Sequence, residues 1–198
     1  MKSISSLHKT PEARQICLAS ASPRRLSLLR QVGIEPEVRP AHLDESRLPE
    51  ENLYDYVQRM AISKAKAVAM PDDDLILAAD TIVVLNGELL GKPDDAEHAT
   101  QMLQQLAGQE HQVLTAIALY QPSSQRLRQQ TVQSRVWIKQ MSAQEIAAYV
   151  ATGEPLDKAG SYGIQGAGAA LVARMEGSCS GVAGLPLCET LTLLRDFT

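Results

Sequence analysis

The chain has 198 residues, 44% of them hydrophobic and 21% charged, with a net charge of −4. That is enough for one compact domain, or two small lobes sharing a core, without disulfide staples. The composition excludes a disordered, collagen-like or low-complexity chain, and no apolar run approaches the length of a membrane-spanning helix. The acidic balance argues against nonspecific nucleic-acid binding, but not against a basic pocket for a small polyphosphate.

Residues 1–15 read as a polar leader without the apolar stretch of a secretory signal. Ile16 to Ala19 is a short apolar run that predicts a buried strand. Ser22 and Pro23 then supply an N-cap and a first helical residue, and the helix they open stops at Gly33. Glu35 to Arg39 reads as a second strand. Leu53, Tyr56, Val57, Met60, Ala61 and Ala65 form a helical stripe within Asn52 to Met70. Leu75 to Ala79 and Ile82 to Leu85 read as two strands joined at Asp80-Thr81, and Asn86-Gly87 as a hairpin turn. A helix follows over Asp94 to Ala107, closed by Gly108.

Gln112 to Tyr120 and Thr131 to Ile138 read as strands on either side of a polar connection containing Pro122. Ser142 and Glu145 have capping-box spacing and open a helix that ends at Gly153. Asp157 to Gly168 is Gly-rich and irregular, Ala170 to Arg174 reads as a strand, and Pro186 to Phe197 as a closing helix. Interleaved strands and helices with hairpins among them predict an α/β or α+β fold on a mixed sheet. Neither a repeat nor a linker divides the chain. Cys17 and Cys188, in apolar runs, read as core residues, and Cys179, among Gly and Ser, as more exposed. An odd cysteine count without CxxC spacing fits a reducing compartment. The four scattered histidines match no zinc pattern.

Four stretches carry candidate chemistry. In LASASPRR, Leu18 to Arg25, a strand feeds a Ser-Pro helix start with Arg24 and Arg25 beside it. That arrangement either binds an anion at the helix N-terminus or is an ordinary cap with two surface arginines. In LILAADTIVVL, Asp80 is an acid within an apolar stretch. An unpaired charge there costs several kcal/mol, so Asp80 is paired, binds a metal, sits at a cleft, or bonds local backbone N–H groups at a strand end. Lys92, in Gly91-Lys92-Pro93, reads first as a solvated turn lysine; the spacing is one residue short of a Walker A loop and lacks its Ser/Thr. DKAGSYGIQG, Asp157 to Gly166, allows close backbone approach to a ligand, and Gln165 offers the donor and acceptor that suit a base edge; the alternative is a plain surface loop. Taken singly, Glu45 is a loop carboxylate and Lys64 a lysine beside the apolar stripe of its helix.

Together these stretches resemble the Maf family of nucleotide pyrophosphatases. LASASPRR, LDES, AADTIVVLNGELLGKP, GQEHQVLTAIAL, EPLDKAGSYGIQG and GLPL occur in that order across residues 16 to 197. The resemblance implies a two-lobed α/β fold, like that of Maf and ITPase proteins, around an elongated mixed β-sheet with a cleft between the lobes. It implies a cytoplasmic, metal-dependent hydrolase, often a homodimer, that cleaves a nucleoside triphosphate to the monophosphate and pyrophosphate. SPRR, the DT pair and YGIQG look like the members acting on dTTP and UTP. Arg24, Thr81 and Gln165 stand where relatives acting on 7-methyl-GTP resemble SPWRR, a DQ pair and a Ser-Glu-Gly loop. The leader and Cys179, where an aromatic is common, depart from the family pattern.

By the same resemblance, Asp80 is the proton acceptor, a metal ligand or both, and Glu45, with or without Asp80, holds Mg²⁺ or Mn²⁺, hard ions that favour oxygen ligands. Ser20, Ser22, Arg24, Arg25, Lys64 and Lys92 meet the phosphates, and Arg24, Thr81 and Gln165 select the base. The implied partner is a small-molecule nucleotide, with neither nucleic acid nor membrane. Two other readings stand beside this one: a 7-methyl-GTP-type pyrophosphatase, and a non-catalytic nucleotide-binding regulator of cell division.

Overall fold

The computed structural model describes residues 15–197, so the leader expected over residues 1–15 lies outside the described residues except for Gln15. The chain forms β1 (Ile16–Leu18), α1 (Pro23–Gln31), β2 (Glu37–Val38), α2 (Leu53–Ala67), β3 (Leu75–Leu85), β4 (Glu88–Leu90), α3 (Ala96–Leu106), β5 (Glu110–Gln121), β6 (Arg126–Ile138), α4 (Ala143–Val150), β7 (Val172–Glu176), α5 (Cys179–Val182) and α6 (Leu187–Arg195). Seven strands make one mixed sheet in the order β2-β1-β3-β5-β6-β7, with β4 paired to β3. β1 runs parallel to both β2 and β3, whereas β4 on β3 and β7 on β6 are antiparallel.

The described residues fall into two compact units. One holds 15–80, 115–131 and 184–197, and the other 81–114 and 132–183. In the first, α2 buries Tyr56, Val57, Met60, Ala61, Lys64 and Ala65. This is the i, i+4, i+8 stripe of an amphipathic helix with one lysine set into it. The core of the second unit gathers Leu103 and Leu106 of α3, Ile146 and Tyr149 of α4, and Val113, Val136 and Ile138 of the strands, among others.

Local chemistry accounts for most boundaries. Asn52 caps α2 by accepting the Asp55 N–H at 2.9 Å, and Asp95 caps α3 by accepting the His98 N–H at 2.8 Å. Ser142 and Glu145 close a reciprocal capping box on α4. Asn86 and Gly87 both take positive φ, 51° and 85°, the requirement of a two-residue hairpin between β3 and β4.

The structure revises five expectations. β6 begins at Arg126, five residues before the expected Thr131, so the polar connection shrinks to a short turn at Pro122–Ser124. Leu75 to Leu85 is one continuous strand, not two joined at Asp80-Thr81, because the Asp80 charge is paired and need not interrupt the run. β7 begins two residues later than expected, since Ala167–Leu171 first makes a 3₁₀ turn. The short helix α5 was not anticipated. Cys188 is exposed, not core: it precedes the buried Thr190 on α6 by two residues, about 200° around the helix. Cys17 is buried and Cys179 exposed, as expected, and all three thiols are free. Among the described residues no helix is long and apolar enough to cross a membrane.

One buried group makes stability depend on pH. His111 on β5 is 2% exposed; its Nε2 lies 2.7 Å from the Tyr162 hydroxyl, and its Nδ1 has no partner among the described residues. Burial lowers its pKa to about 4. The unfolded chain therefore binds a proton below about pH 6.5 that the folded chain refuses, and stability falls as pH drops from 6.5 to 4. Between pH 7 and pH 5 this amounts to about 2 kcal/mol. In His111→Gln the corresponding fall in Tm should shrink, and an unchanged fall would assign the acid sensitivity elsewhere.

Candidate active site

The candidate site in the first unit is built on the lysine of the α2 stripe. Its place on that stripe carries Lys64 inward, where it is only 9% exposed. Its Nζ donates to Asp80 Oδ1 at 2.6 Å and pairs with Glu45 Oε1 at 2.7 Å. Asp80 is the sixth residue of β3 and 7% exposed. The Glu45 side chain is about half exposed, on the loop that precedes α2. A buried and an open carboxylate thus converge on one ammonium.

The turn between β1 and α1 supplies the next group. Ser22 is the N-cap of α1 and Pro23 its first residue, but the Ser22 side chain makes no capping bond. The hub is instead the buried Ser20 hydroxyl, which accepts the Ser22 N–H at 3.2 Å and Arg25 Nη1 at 3.1 Å. Arg25 also donates from Nε to the Gly184 carbonyl at 2.8 Å. So fixed, its guanidinium exerts an attractive field on Asp80. Ser20, Ser22, Arg25, Glu45, Lys64 and Asp80 are therefore brought together, and Arg24 adjoins Arg25, half-buried.

Burial is the largest influence on Asp80 and leaves its carboxyl above the usual carboxylate range, although Lys64 and Arg25 pull the other way and Glu45 adds to the rise. Burial likewise lowers the Arg25 guanidinium, with Asp80 opposing; an arginine keeps its proton regardless. A buried carboxylate with an upward-shifted pKa, held by a cation, is suited to general-base work near neutral pH.

Two residues that the sequence reading passed over hold Glu45 in place. Tyr56, read only as part of the apolar stripe, donates its hydroxyl to the Glu45 carbonyl at 2.7 Å. Arg59 donates to the Ser46 carbonyl at 3.0 Å and pairs with Glu51 at 2.6 Å. A Tyr in place of Phe on a buried stripe was the available signal, because a buried phenol finds a partner.

The remaining candidates belong to the second unit. Thr81 follows Asp80 on β3 and is half-buried, Lys92 is exposed after β4, and Gln165 is exposed in the Gly-rich segment. The Gly160 N–H donates to the Gly91 carbonyl at 3.0 Å, fixing the backbone just before Lys92.

Among the described residues no group of three or more His, Cys, Asp or Glu side chains could hold a metal ion. Glu45 and Asp80 are two carboxylates a single ammonium apart. One or two carboxylates, completed by water and substrate phosphate, is the donor set of Mg²⁺ or Mn²⁺, so these residues fit such an ion.

Residues 15–197 match the family described as Maf-like protein. A dTTP/UTP pyrophosphatase of Shigella dysenteriae serotype 1 is 52% identical over 182 residues, 91% of each chain. A protein of the same name from Escherichia coli O6:K15:H31 matches at the same identity and coverage. Among solved structures, a HAM1 protein from Coxiella burnetii aligns over 93% of this chain and all of its own, with a TM-score of 0.54 at 17% identity. That last likeness is one of fold.

Proposed function

The chain belongs to the Maf family, and from that premise we propose that it hydrolyses dTTP and UTP to the nucleoside monophosphate and pyrophosphate. The relatives' names support the substrate. The observation that carries the chemistry is the buried Asp80 carboxylate held at 2.6 Å by Lys64.

In this reading Asp80 takes the proton of the water that attacks as the bond between the α- and β-phosphates breaks, and its raised pKa makes it the stronger base. Lys64 and Arg25 then stabilise charge gathering on the phosphoryl oxygens. With Ser20, Ser22, Arg24 and Lys92 they would meet a triphosphate of about four negative charges, arginine in bidentate fashion. Glu45 and Asp80 would hold Mg²⁺ or Mn²⁺, which when bound supplies Lewis-acid polarisation and neutralises phosphate charge. Arg24, Thr81 and Gln165 would select the base. Uracil and thymine present carbonyl acceptors flanking an N–H, and the Gln165 amide can answer with one donor and one acceptor. Three free thiols fit a cytoplasmic location. We also propose a homodimer, acting on a nucleotide and not on nucleic acid or membrane.

The test is a panel of dTTP, UTP, CTP, GTP and 7-methyl-GTP, with pyrophosphate and monophosphate both identified. The thymine methyl is worth about 1–3 kcal/mol, so dTTP and UTP should both turn over, within about two orders of magnitude of each other. Preference for 7-methyl-GTP would overturn the base assignment, and absence of turnover on every triphosphate would leave the binding-regulator reading in its place. Chelation with EDTA should abolish activity, and Mg²⁺ or Mn²⁺ should restore it. The mass in solution, by light scattering, should be twice 21.5 kDa.

A further inference from the structure

Glu154 carries no role in the reading above, yet the Gly-rich segment is built around it. It follows Gly153 at the end of α4 and opens a 3₁₀ turn, Glu154–Asp157. Its Oε2 accepts the Ala167 N–H at 2.8 Å and its Oε1 the Gly168 N–H at 3.0 Å. Tyr149, on α4, donates its hydroxyl to the same Oε1 at 2.9 Å, and that hydroxyl oxygen accepts the Gly163 N–H at 3.0 Å. Both ends of the stretch 163–168 are therefore tied to one carboxylate–phenol pair, and Gln165 lies between the tied ends.

The glycines of the stretch follow from this arrangement. A Cβ at Gly166 would stand 2.3 Å from Glu154 Oε2, and one at Gly168 2.4 Å from the Tyr149 hydroxyl and 2.5 Å from the Gly163 carbonyl. Glycine is needed here because the backbone lies directly against the carboxylate and the phenol. Lys158 reinforces the tie by donating its ammonium to the Glu154 carbonyl and to Asp157.

We propose that Glu154, seconded by Tyr149, is a positioning residue for base selection: it fixes the backbone on either side of Gln165 so that the amide meets the base in one orientation. This rests on the assignment of Gln165 to the base. Burial works to raise the Glu154 carboxyl, but the bonds from Gly168, Tyr149 and Ala167 outweigh it and hold it below the ordinary range. Glu154 is thus an ionised acceptor of three hydrogen bonds at neutral pH. A glutamine of the same shape would turn an amide N–H₂ against a backbone N–H and leave it unsatisfied.

The test compares wild type, Glu154→Gln, Tyr149→Phe and Gln165→Ala as full-length protein. Amide hydrogen exchange over 163–168 should quicken about tenfold or more in Glu154→Gln, with exchange elsewhere unchanged. KM for UTP should rise about tenfold with kcat within about threefold, the mark of lost uniform binding, and the preference for UTP over CTP should fall by at least about tenfold. Should Glu154→Gln fail to fold, Tyr149→Phe carries the same readouts. Unchanged exchange, or an unchanged UTP/CTP ratio where Gln165→Ala lowers it, overturns the proposal alone. A ratio that Gln165→Ala also leaves intact overturns the base assignment of Gln165, and with it the role of Glu154, while the exchange data still report whether Glu154 holds the backbone.

Discussion

Asp80→Asn is expected to lower kcat/KM for dTTP by about 10²–10⁴-fold, the usual cost of removing general-base assistance. The amide keeps the shape of the carboxylate, and its oxygen still accepts from Lys64, so the loss is one of basicity and not of fit. Two opposing effects act on stability. Asp80 is 7% exposed and its carboxyl is pushed upward chiefly by burial. A group whose pKa rises on folding opposes folding more as pH rises through the folded value. The neutral amide escapes that penalty but leaves the buried Lys64 ammonium with only the half-exposed Glu45 as counter-charge, so Tm at pH 7 should fall, though by less than in Lys64→Met. The limb of the wild-type pH–rate profile that reports Asp80 should vanish in the variant. Near-normal turnover in a metal-replete assay would remove Asp80 from the mechanism.

Lys64→Met should damage both rate and stability. Methionine retains the apolar stem within the α2 stripe and deletes only the ammonium. Asp80 then stays buried beside Glu45 with its closest cation gone. Breaking a buried ion pair by removing one partner costs about 3–5 kcal/mol; Glu45 is about half exposed and adds little, so the lower end, about 3 kcal/mol, applies. For a chain of this size that is a fall in Tm of roughly 6–12 °C. Loss of a charge-assisted phosphate contact, about 1.5–3 kcal/mol, should lower kcat/KM by about 10–150-fold. The limb that reports Asp80 should also move to higher pH, because Lys64, ahead of Arg25, opposes the upward shift of Asp80. In the double variant Lys64→Met/Asp80→Asn much of the lost Tm should return, since no buried charge is left unpaired. Additive losses would show that the 2.6 Å contact is energetically idle.

Sequence pattern revealed the elements whose ends are set by local chemistry. Asn52, Asn86-Gly87 and the Ser142/Glu145 box each fix a boundary through bonds to their own neighbours, and the structure keeps them. It failed where a distant partner decides. The break expected at Asp80 disappears because Lys64, sixteen residues earlier, neutralises the charge. Cys188 lies in an apolar run whose helix turns it outward. At the site, Asp80 and Lys64 were each visible, one as an acid in an apolar run and the other beside a stripe, but not as a pair. Neither Tyr56 under Glu45 nor Glu154 under the Gly-rich segment stood out, because a backbone bond made across a loop leaves no mark on residue spacing.

The unit that holds Asp80, Lys64 and Arg25 is assembled from three stretches of chain, the last of them 184–197. Arg25 is anchored on Gly184, the first residue of that last stretch, and Phe197, near its end, is 2% exposed beneath the Arg126 guanidinium. In synthesis these residues follow every proposed site residue. With synthesis at about 5–20 residues per second, the nascent chain spends several seconds carrying every proposed site residue without the segment that seats Arg25. Competence to act on a nucleotide is therefore acquired only once that last stretch has been made. A message cut short just before codon 184 would encode every proposed site residue and still yield an inert product.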